Sequence, residues 1–153
     1  MALTLLGPSS RNIRPWTFVE VDDPELLARL ARAKPHGGAF LNGAPLAIVV
    51  LADPAQSDVW VEDTAIASTV LLLLVEDLGL GACWCQIRRR DRRDGSPAEA
   101  FVKEVIGAPD GMVVEAIIAI GYPESPRPPY DERELHYEKL RRNGFAEPYP
   151  IDE

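Results

Sequence analysis

The feature that most limits how this chain can fold is an unbroken apolar run at residues 45–52, which reads Pro-Leu-Ala-Ile-Val-Val-Leu-Ala. A strand with one wet face would alternate apolar and polar residues, and this run has no polar face. It therefore predicts a central strand that is covered on both sides. Because helices are the elements that cover such a strand, we expect a layered domain.

The rest of the chain alternates further strands with helices. The apolar and turn patterns predict strands at 16–21, 45–52, 82–87 and 112–120, and helices at about 24–34, 57–78 and 97–106. The helix at 57–78 is apolar almost all round between Ala65 and Val75, which indicates burial on every side. The residues alone leave a two-layer and a three-layer sandwich both open.

Helix ends and the C-terminal tail are predicted from local chemistry. Asp23 is expected to cap the helix that opens at Pro24, and Ser96 with Glu99 has the form of a capping box. A polar helix is expected near residues 132–141. The segment 122–153 is poor in core residues, so its apolar side chains are expected to contact a partner subunit. These are Tyr130, Leu135, Tyr137, Leu140, Phe145 and Tyr149.

Composition excludes several classes of protein. A length of 153 residues predicts one domain spanning 1–153, and a net charge of −8 argues against a nucleic-acid partner. No apolar run is long enough to cross a bilayer. Cys83 and Cys85 have no matching Cys or His pair for zinc, so both are interpreted as core packing, and a cytoplasmic location is expected.

Four stretches of the chain together carry a family resemblance. They are Gly-Pro-Ser-Ser-Arg-Asn-Ile-Arg-Pro-Trp at 7–16, Asn-Gly-Ala-Pro at 42–45, Glu-Asp-Leu-Gly-Leu-Gly-Ala-Cys-Trp at 76–84, and Ile-Ala-Ile-Gly-Tyr-Pro at 118–123. In this order and at these separations they resemble the nitroreductase family of FMN-dependent oxidoreductases. The resemblance covers nearly the whole chain.

The resemblance implies a fold and an activity. The fold is α+β, a three-layer sandwich with a mostly antiparallel central sheet, helices on both faces and a C-terminal tail that reaches the partner of a homodimer. The implied cofactor is FMN, and the implied reaction is ping-pong hydride transfer from NAD(P)H to a nitroaromatic or quinone-like acceptor. The alternative is a non-enzymatic dimeric remnant that binds flavin weakly or not at all.

The resemblance also assigns flavin contacts, while no catalytic side chain is implied. The candidate contacts are Pro8, Ser9, Ser10 and Asn12 from the second subunit, the backbone of Trp84, Cys85 and Gln86, His36 near the ribityl chain or ring, and Arg133 near the phosphate. For the loop at 8–12, the other interpretation is a turn that caps its own backbone. For residues 84–86, it is an ordinary buried strand.

Positive charge is concentrated in one loop. It contains Arg88, Arg89, Arg90, Arg92 and Arg93. The loop is either simply solvated or contacts an anion, such as a phosphate of a nicotinamide cofactor. The Arg-rich segment that usually opens family members and binds the FMN phosphate is not found ahead of residues 2–6, so weaker phosphate binding is expected. His136 is expected at the surface.

Overall fold

The computed structural model describes residues 2–125 and 128–151, with four strands and three α-helices. In chain order these are β1 (Trp16–Val21), α1 (Pro24–Leu30), β2 (Leu46–Ala52), α2 (Trp60–Asp77), β3 (Gly81–Gln86), α3 (Ala98–Ile106) and β4 (Val113–Gly121). Short 3₁₀ turns cover Ala2–Leu6, Ser10–Asn12, Ala39–Gly43, Glu132–Glu134 and Tyr137–Lys139.

The strands form one sheet in the order β1-β2-β4-β3, and every neighbouring pair is antiparallel. The predicted central strand is β2, where Ala47 to Ala52 are at most 1% exposed. The ladder between β2 and β4 shifts register between Val50 and Leu51, because Glu115 is an extra residue in β4. β3 lies at the edge of the sheet.

Helices cover both faces of the sheet, so the expected α+β three-layer sandwich is confirmed. Ile48 and Ile118 point to one face and pack with Leu71 and Val75 of α2. Their neighbours in sequence point to the other face, as alternation in a strand requires. That second cluster includes Val49, Ile117, Leu27, Leu30, Val102 and Val105, which brings α1 and α3 onto the sheet.

Burial of α2 on every side was a wrong prediction for the single chain. Leu73 is 67% exposed and Ile66 is 42% exposed, on the side turned away from the sheet. The helix also begins at Trp60, later than expected, and Ser57 lies ahead of it with its side chain bonded to Asp63. The end of another helix also differs from the prediction, since α1 ends at Leu30, well before Pro35.

Two local predictions were wrong. Ser96 does not cap α3, because its hydroxyl donates to Asp94 at 2.6 Å, and Glu99 accepts from the Val114 N–H instead of closing a capping box. The expected helix near 132–141 is only two 3₁₀ turns of three residues, with Leu135 extended between them. In the described parts of the chain, no helix is long and apolar enough to cross a membrane.

Candidate functional site

The loop before β1 has an unusual backbone. Arg11, Asn12 and Arg14 all have positive φ values, of 52°, 56° and 55°. This left-handed region is costly for residues other than glycine, and such residues persist only where neighbouring contacts hold them. The holding contact here comes from α2, because the Ser10 N–H donates to the Asp63 carboxylate at 2.7 Å. Asp63 is 2% exposed and also accepts from the Ser57 hydroxyl at 2.8 Å.

Side chains predicted to contact flavin also bond within this loop. The Ser9 hydroxyl oxygen accepts from the Arg14 N–H at 2.9 Å, and the Asn12 carbonyl accepts from Arg14 Nε at 3.1 Å. The turn thus caps its own backbone, as the alternative interpretation stated. Each group keeps donors to offer, namely the Ser9 O–H and the Asn12 amide N–H bonds. Pro8 is exposed on the same loop.

The free edge of β3 presents unused backbone groups. Ile87 N–H donates to the Glu115 carbonyl at 3.1 Å, so Ile87 faces β4. Because N–H groups alternate along an antiparallel strand, Cys85 also faces β4, and Trp84 and Gln86 direct theirs to the open edge. Because β3 is an edge strand, no neighbouring strand among the described residues pairs with those two amides. An edge of this kind is a row of donors that a ligand or a second chain can use.

A polar network lies behind this edge, on the α2 face. Trp84 donates from its indole to the Gln86 side chain at 2.8 Å, and Gln86 donates to Glu115 Oε1 at 3.3 Å. Glu115 is only 5% exposed, and its Oε2 has no hydrogen-bond partner in the described residues. Arg88 approaches that oxygen at 3.9 Å and stacks over the ring of Trp60. Burial raises the pKa of the Glu115 carboxyl, and Gln86 and Arg88 partly offset this.

The segment containing His36 packs against the opposite face of β3. The Cys85 thiol donates to the Gly37 carbonyl at 3.4 Å, while His36 itself is exposed. Gly37 has a φ of +67°, a conformation that glycine adopts without strain. Burial raises the pKa of the Cys85 thiol, and the nearby Lys34 ammonium opposes this shift. Cys85 is core packing as predicted, but Cys83 is exposed, so that half of the cysteine prediction was wrong.

A shallow apolar cleft of about 420 Å³ lies at the other end of β3. Small residues form much of its wall, including Gly81, Ala82 and Gly121. A Cβ added to Gly121 would lie 2.8 Å from Pro45 Cδ, so the two chain segments touch without room for a side chain.

The single chain does not unite all the predicted contacts. The segment that carries His36 meets β3 through the bond between Gly37 and Cys85, while the His36 side chain is exposed. No hydrogen bond among the described residues joins the loop at 8–12 to the edge of β3. Arg133 lies in the tail, where its side chain is 90% exposed and pairs with Asp131 at 2.5 Å. The flavin assignments of all these residues remain predictions. No group of three or more His, Cys, Asp or Glu side chains in the described ranges could hold a metal ion.

Comparison with known proteins decides the family. The model of the nitroreductase family matches residues 32–122, which include β2, α2, β3 and β4.

This chain belongs to the nitroreductase family.

Individual relatives agree with this assignment. An FMN-dependent nitroreductase from Clostridium difficile R20291 is 41% identical, and the match covers 94% of this chain and 84% of that one with a TM-score of 0.91. A protein of Archaeoglobus fulgidus named "Putative NADH dehydrogenase/NAD(P)H nitroreductase" is 34% identical over 131 residues, or 83% of this chain and 72% of that protein. An iodotyrosine deiodinase from Thermotoga neapolitana is 25% identical over 157 residues, 84% of this chain and 77% of its own.

Sequence reasoning missed several groups in and around this candidate site. Glu115 was passed over because it lies inside an apolar strand, although a lone carboxylate there is itself a signal. Asp63 was not singled out, because its bond to a loop 53 residues away has no local signature in the sequence. Arg32 and Lys34 were not singled out, because their charges become significant only beside Arg92 and Arg93.

Proposed function

We propose that this chain acts as a homodimeric FMN-dependent NAD(P)H oxidoreductase of the nitroreductase type in the reducing cytoplasm. The observation that carries the proposal is the 41% identity, across 94% of the chain, to an FMN-dependent nitroreductase. The proposed acceptor is an electron-poor nitroaromatic or quinone-like molecule. The proposed order is ping-pong, in which the nicotinamide leaves before the acceptor enters.

The donors of this chain fit the polar edge of a flavin ring. Flavin ring nitrogens and carbonyl oxygens accept hydrogen bonds along one side of a flat, otherwise apolar system. The open-edge N–H groups of Trp84 and Gln86 are such donors, held on a strand whose position is fixed by β4. Bound FMN would supply the hydride-accepting and hydride-donating chemistry, while these amides orient the ring.

The loop at 8–12 is proposed to contribute from the partner subunit. Its strained backbone is held by Asp63, so Ser9 and Asn12 are presented in a fixed position. Their side chains are short, so the backbone can approach a flat ligand closely. Support for a homodimer comes from the exposed apolar residues Ile66 and Leu73 on α2, which a second copy would cover.

The experiment that tests the proposal begins with the absorbance spectrum of the purified protein. We expect flavin bands, or their appearance on titration with FMN, followed by NAD(P)H oxidation when a nitroaromatic or quinone acceptor is added. Initial rates at varied concentrations of both substrates should give the parallel double-reciprocal lines of a ping-pong order. Light scattering in parallel should give the mass of a dimer.

The competing function is a non-enzymatic dimeric remnant. Engagement of Ser9 and Asn12 within their own loop favours it. A protein that scatters light as a dimer, yet shows no flavin band shift at millimolar FMN and oxidises no NAD(P)H, would establish the remnant and refute the enzyme.

A further inference from the structure

A second cleft, of about 440 Å³, lies between the turn that follows α1 and the loop that follows β3. Arg32 and Lys34 line one wall. Arg92 and Arg93 line the other wall, together with the single carboxylate of Asp94. The cleft therefore gathers four cations and one anion in a chain whose net charge is −8.

Most of this positive charge has no carboxylate partner within the part of the chain that the structure describes. Arg92 pairs with Asp94 at 3.2 Å, but Arg32, Lys34 and Arg93 form no ion pair among the described residues. The chain has 24 Asp and Glu residues to offer, so this lack of partners is not a shortage of carboxylates. Like charges that face one another across a cleft repel, and a bound anion would remove that cost.

The loop that carries Arg92 is ordered by its own bonds. Arg92 N–H donates to the Ser96 carbonyl at 2.8 Å, and Ala98 N–H donates to the Arg90 carbonyl at 2.9 Å. The Arg92 guanidinium lies 4.1 Å from the centre of the Phe101 ring. The Arg92 Nε is buried and has no acceptor among the described residues, so this N–H donor is removed from solvent without a protein partner. These contacts disfavour the interpretation of a merely solvated loop.

The segment 34–38 lies between this cleft and the edge strand β3. Lys34 lies beside Cys85, and the Gly37 carbonyl accepts from the Cys85 thiol at 3.4 Å. The segment 34–38 therefore borders the basic cleft on one side and β3 on the other.

We propose that the basic cleft binds a phosphate monoester group of a nucleotide-type ligand. Arginine presents paired N–H donors that match phosphate oxygens, and a lysine ammonium adds a compact charge. The phosphate belongs either to FMN or to the 2′ position of NADPH. The choice of these two sources rests on the proposed function, whereas the phosphate site itself does not.

The first experiment uses inorganic phosphate as the probe and backbone amide shifts in NMR spectra as the readout. We expect saturable shifts confined to residues 32–38 and 91–96. The double variant Arg32→Gln with Arg93→Gln should weaken phosphate binding about tenfold. The matched control, Arg89→Gln with Arg90→Gln, removes the same charge from the same loop but outside the cleft. At about 0.15 M salt it should change binding less than about twofold.

The second experiment identifies the source by direct binding measurements. If the site takes the FMN phosphate, the cleft variant should weaken FMN binding and leave riboflavin binding unchanged. If it takes the NADPH phosphate, the variant should weaken NADP⁺ and leave NAD⁺ unchanged. Protein that binds phosphate in the cleft but binds neither FMN nor riboflavin would support the phosphate site and refute the proposed function. Equal loss in both double variants, or shifts outside the cleft, would overturn the phosphate site.

Discussion

Gln86 donates from its side-chain amide to the buried carboxyl of Glu115 at 3.3 Å, and the same Gln86 accepts from the Trp84 indole at 2.8 Å. One side chain thus joins the open edge of β3 to the extra residue of β4. The orientation of Trp84 depends on this connection, because its indole has only this partner among the described residues. A change in the protonation state of the Glu115 carboxyl is therefore expected to affect this connection.

Replacing Glu115 by Gln should reduce the dependence of stability on pH. Burial, together with the negative charges of Glu62 and Glu99, raises the pKa of this carboxyl in the folded chain. The native state then binds more protons than the unfolded state between the ordinary pKa and the raised pKa, so wild-type stability falls as pH rises through that window. Urea unfolding at about pH 4.5, 6 and 8 measures this fall, which Glu115→Gln should lessen.

The matched control is Glu104→Gln, which also removes one carboxyl, but from the surface. Glu104 is 73% exposed in its side chain and lies 3.7 Å from Arg29. Its pH profile should run parallel to that of the wild type. If Glu115→Gln keeps the full wild-type slope, Glu115 is not protonated in the folded protein in the way its burial implies.

Replacing Asp63 by Ala should destabilise the fold by about 2–3 kcal/mol, since it leaves the Ser10 N–H and the Ser57 hydroxyl without their acceptor. Asp58→Ala removes a nearby carboxylate whose pairing with Arg11 is exposed, and should cost about 0.5 kcal/mol. Denaturant unfolding gives both values. Amide exchange at Ser10 should become faster only in Asp63→Ala, and equal exchange in the two variants would contradict the role of Asp63 as the anchor.

Replacing Gly121 by Ala should destabilise the protein by about 1–3 kcal/mol, because the new methyl would lie 2.8 Å from Pro45 Cδ and force the two segments apart. Gly111→Ala is the matched control, since a Cβ there meets nothing within 4 Å. It should be neutral to within about 0.5 kcal/mol. Thermal unfolding of the two variants is sufficient, and equal midpoints would contradict the close approach.

Thiol titration of the native protein should find one reactive group. Cys83 is exposed, whereas Cys85 is buried and burial raises the pKa of its thiol, so little thiolate forms. Cys83→Ser should abolish the fast reaction, and denaturant should restore a count of one from Cys85. A fast reaction that survives in Cys83→Ser would show that Cys85 is accessible.

The layered fold was predictable because its evidence is local and repeated. The apolar run at 45–52 and the cap at Asp23 required no knowledge of distant contacts. The predicted capping box at Ser96 does not form, because the Ser96 hydroxyl donates to Asp94 instead. The capping-box pattern alone does not show that a competing acceptor lies nearby. Burial of α2 was overestimated because composition cannot tell a side covered by its own chain from one left open.

The candidate site was less predictable than the fold. The segments at 36 and 84–86 were identified through the family resemblance, and the structure brings them together. The Glu115 network and the basic cleft depend on residues that are far apart in sequence and meet only through the β3–β4 pairing and the turn after α1. A sequence shows how many charged residues a chain has, but only the fold shows which of them lie close together.

The clamp between Ser10 and Asp63 also bears on the order in which this molecule matures. The two residues are 53 positions apart, so the early loop has no fixed shape until the start of α2 exists. Closing that stretch of chain has an entropic cost, and the pairing of Leu46 with Ile120 in the sheet spans a still longer stretch. The early loop and the central strand pair therefore both become fixed only when distant parts of the chain meet, and competence for ligand would arrive with the complete fold and not before it.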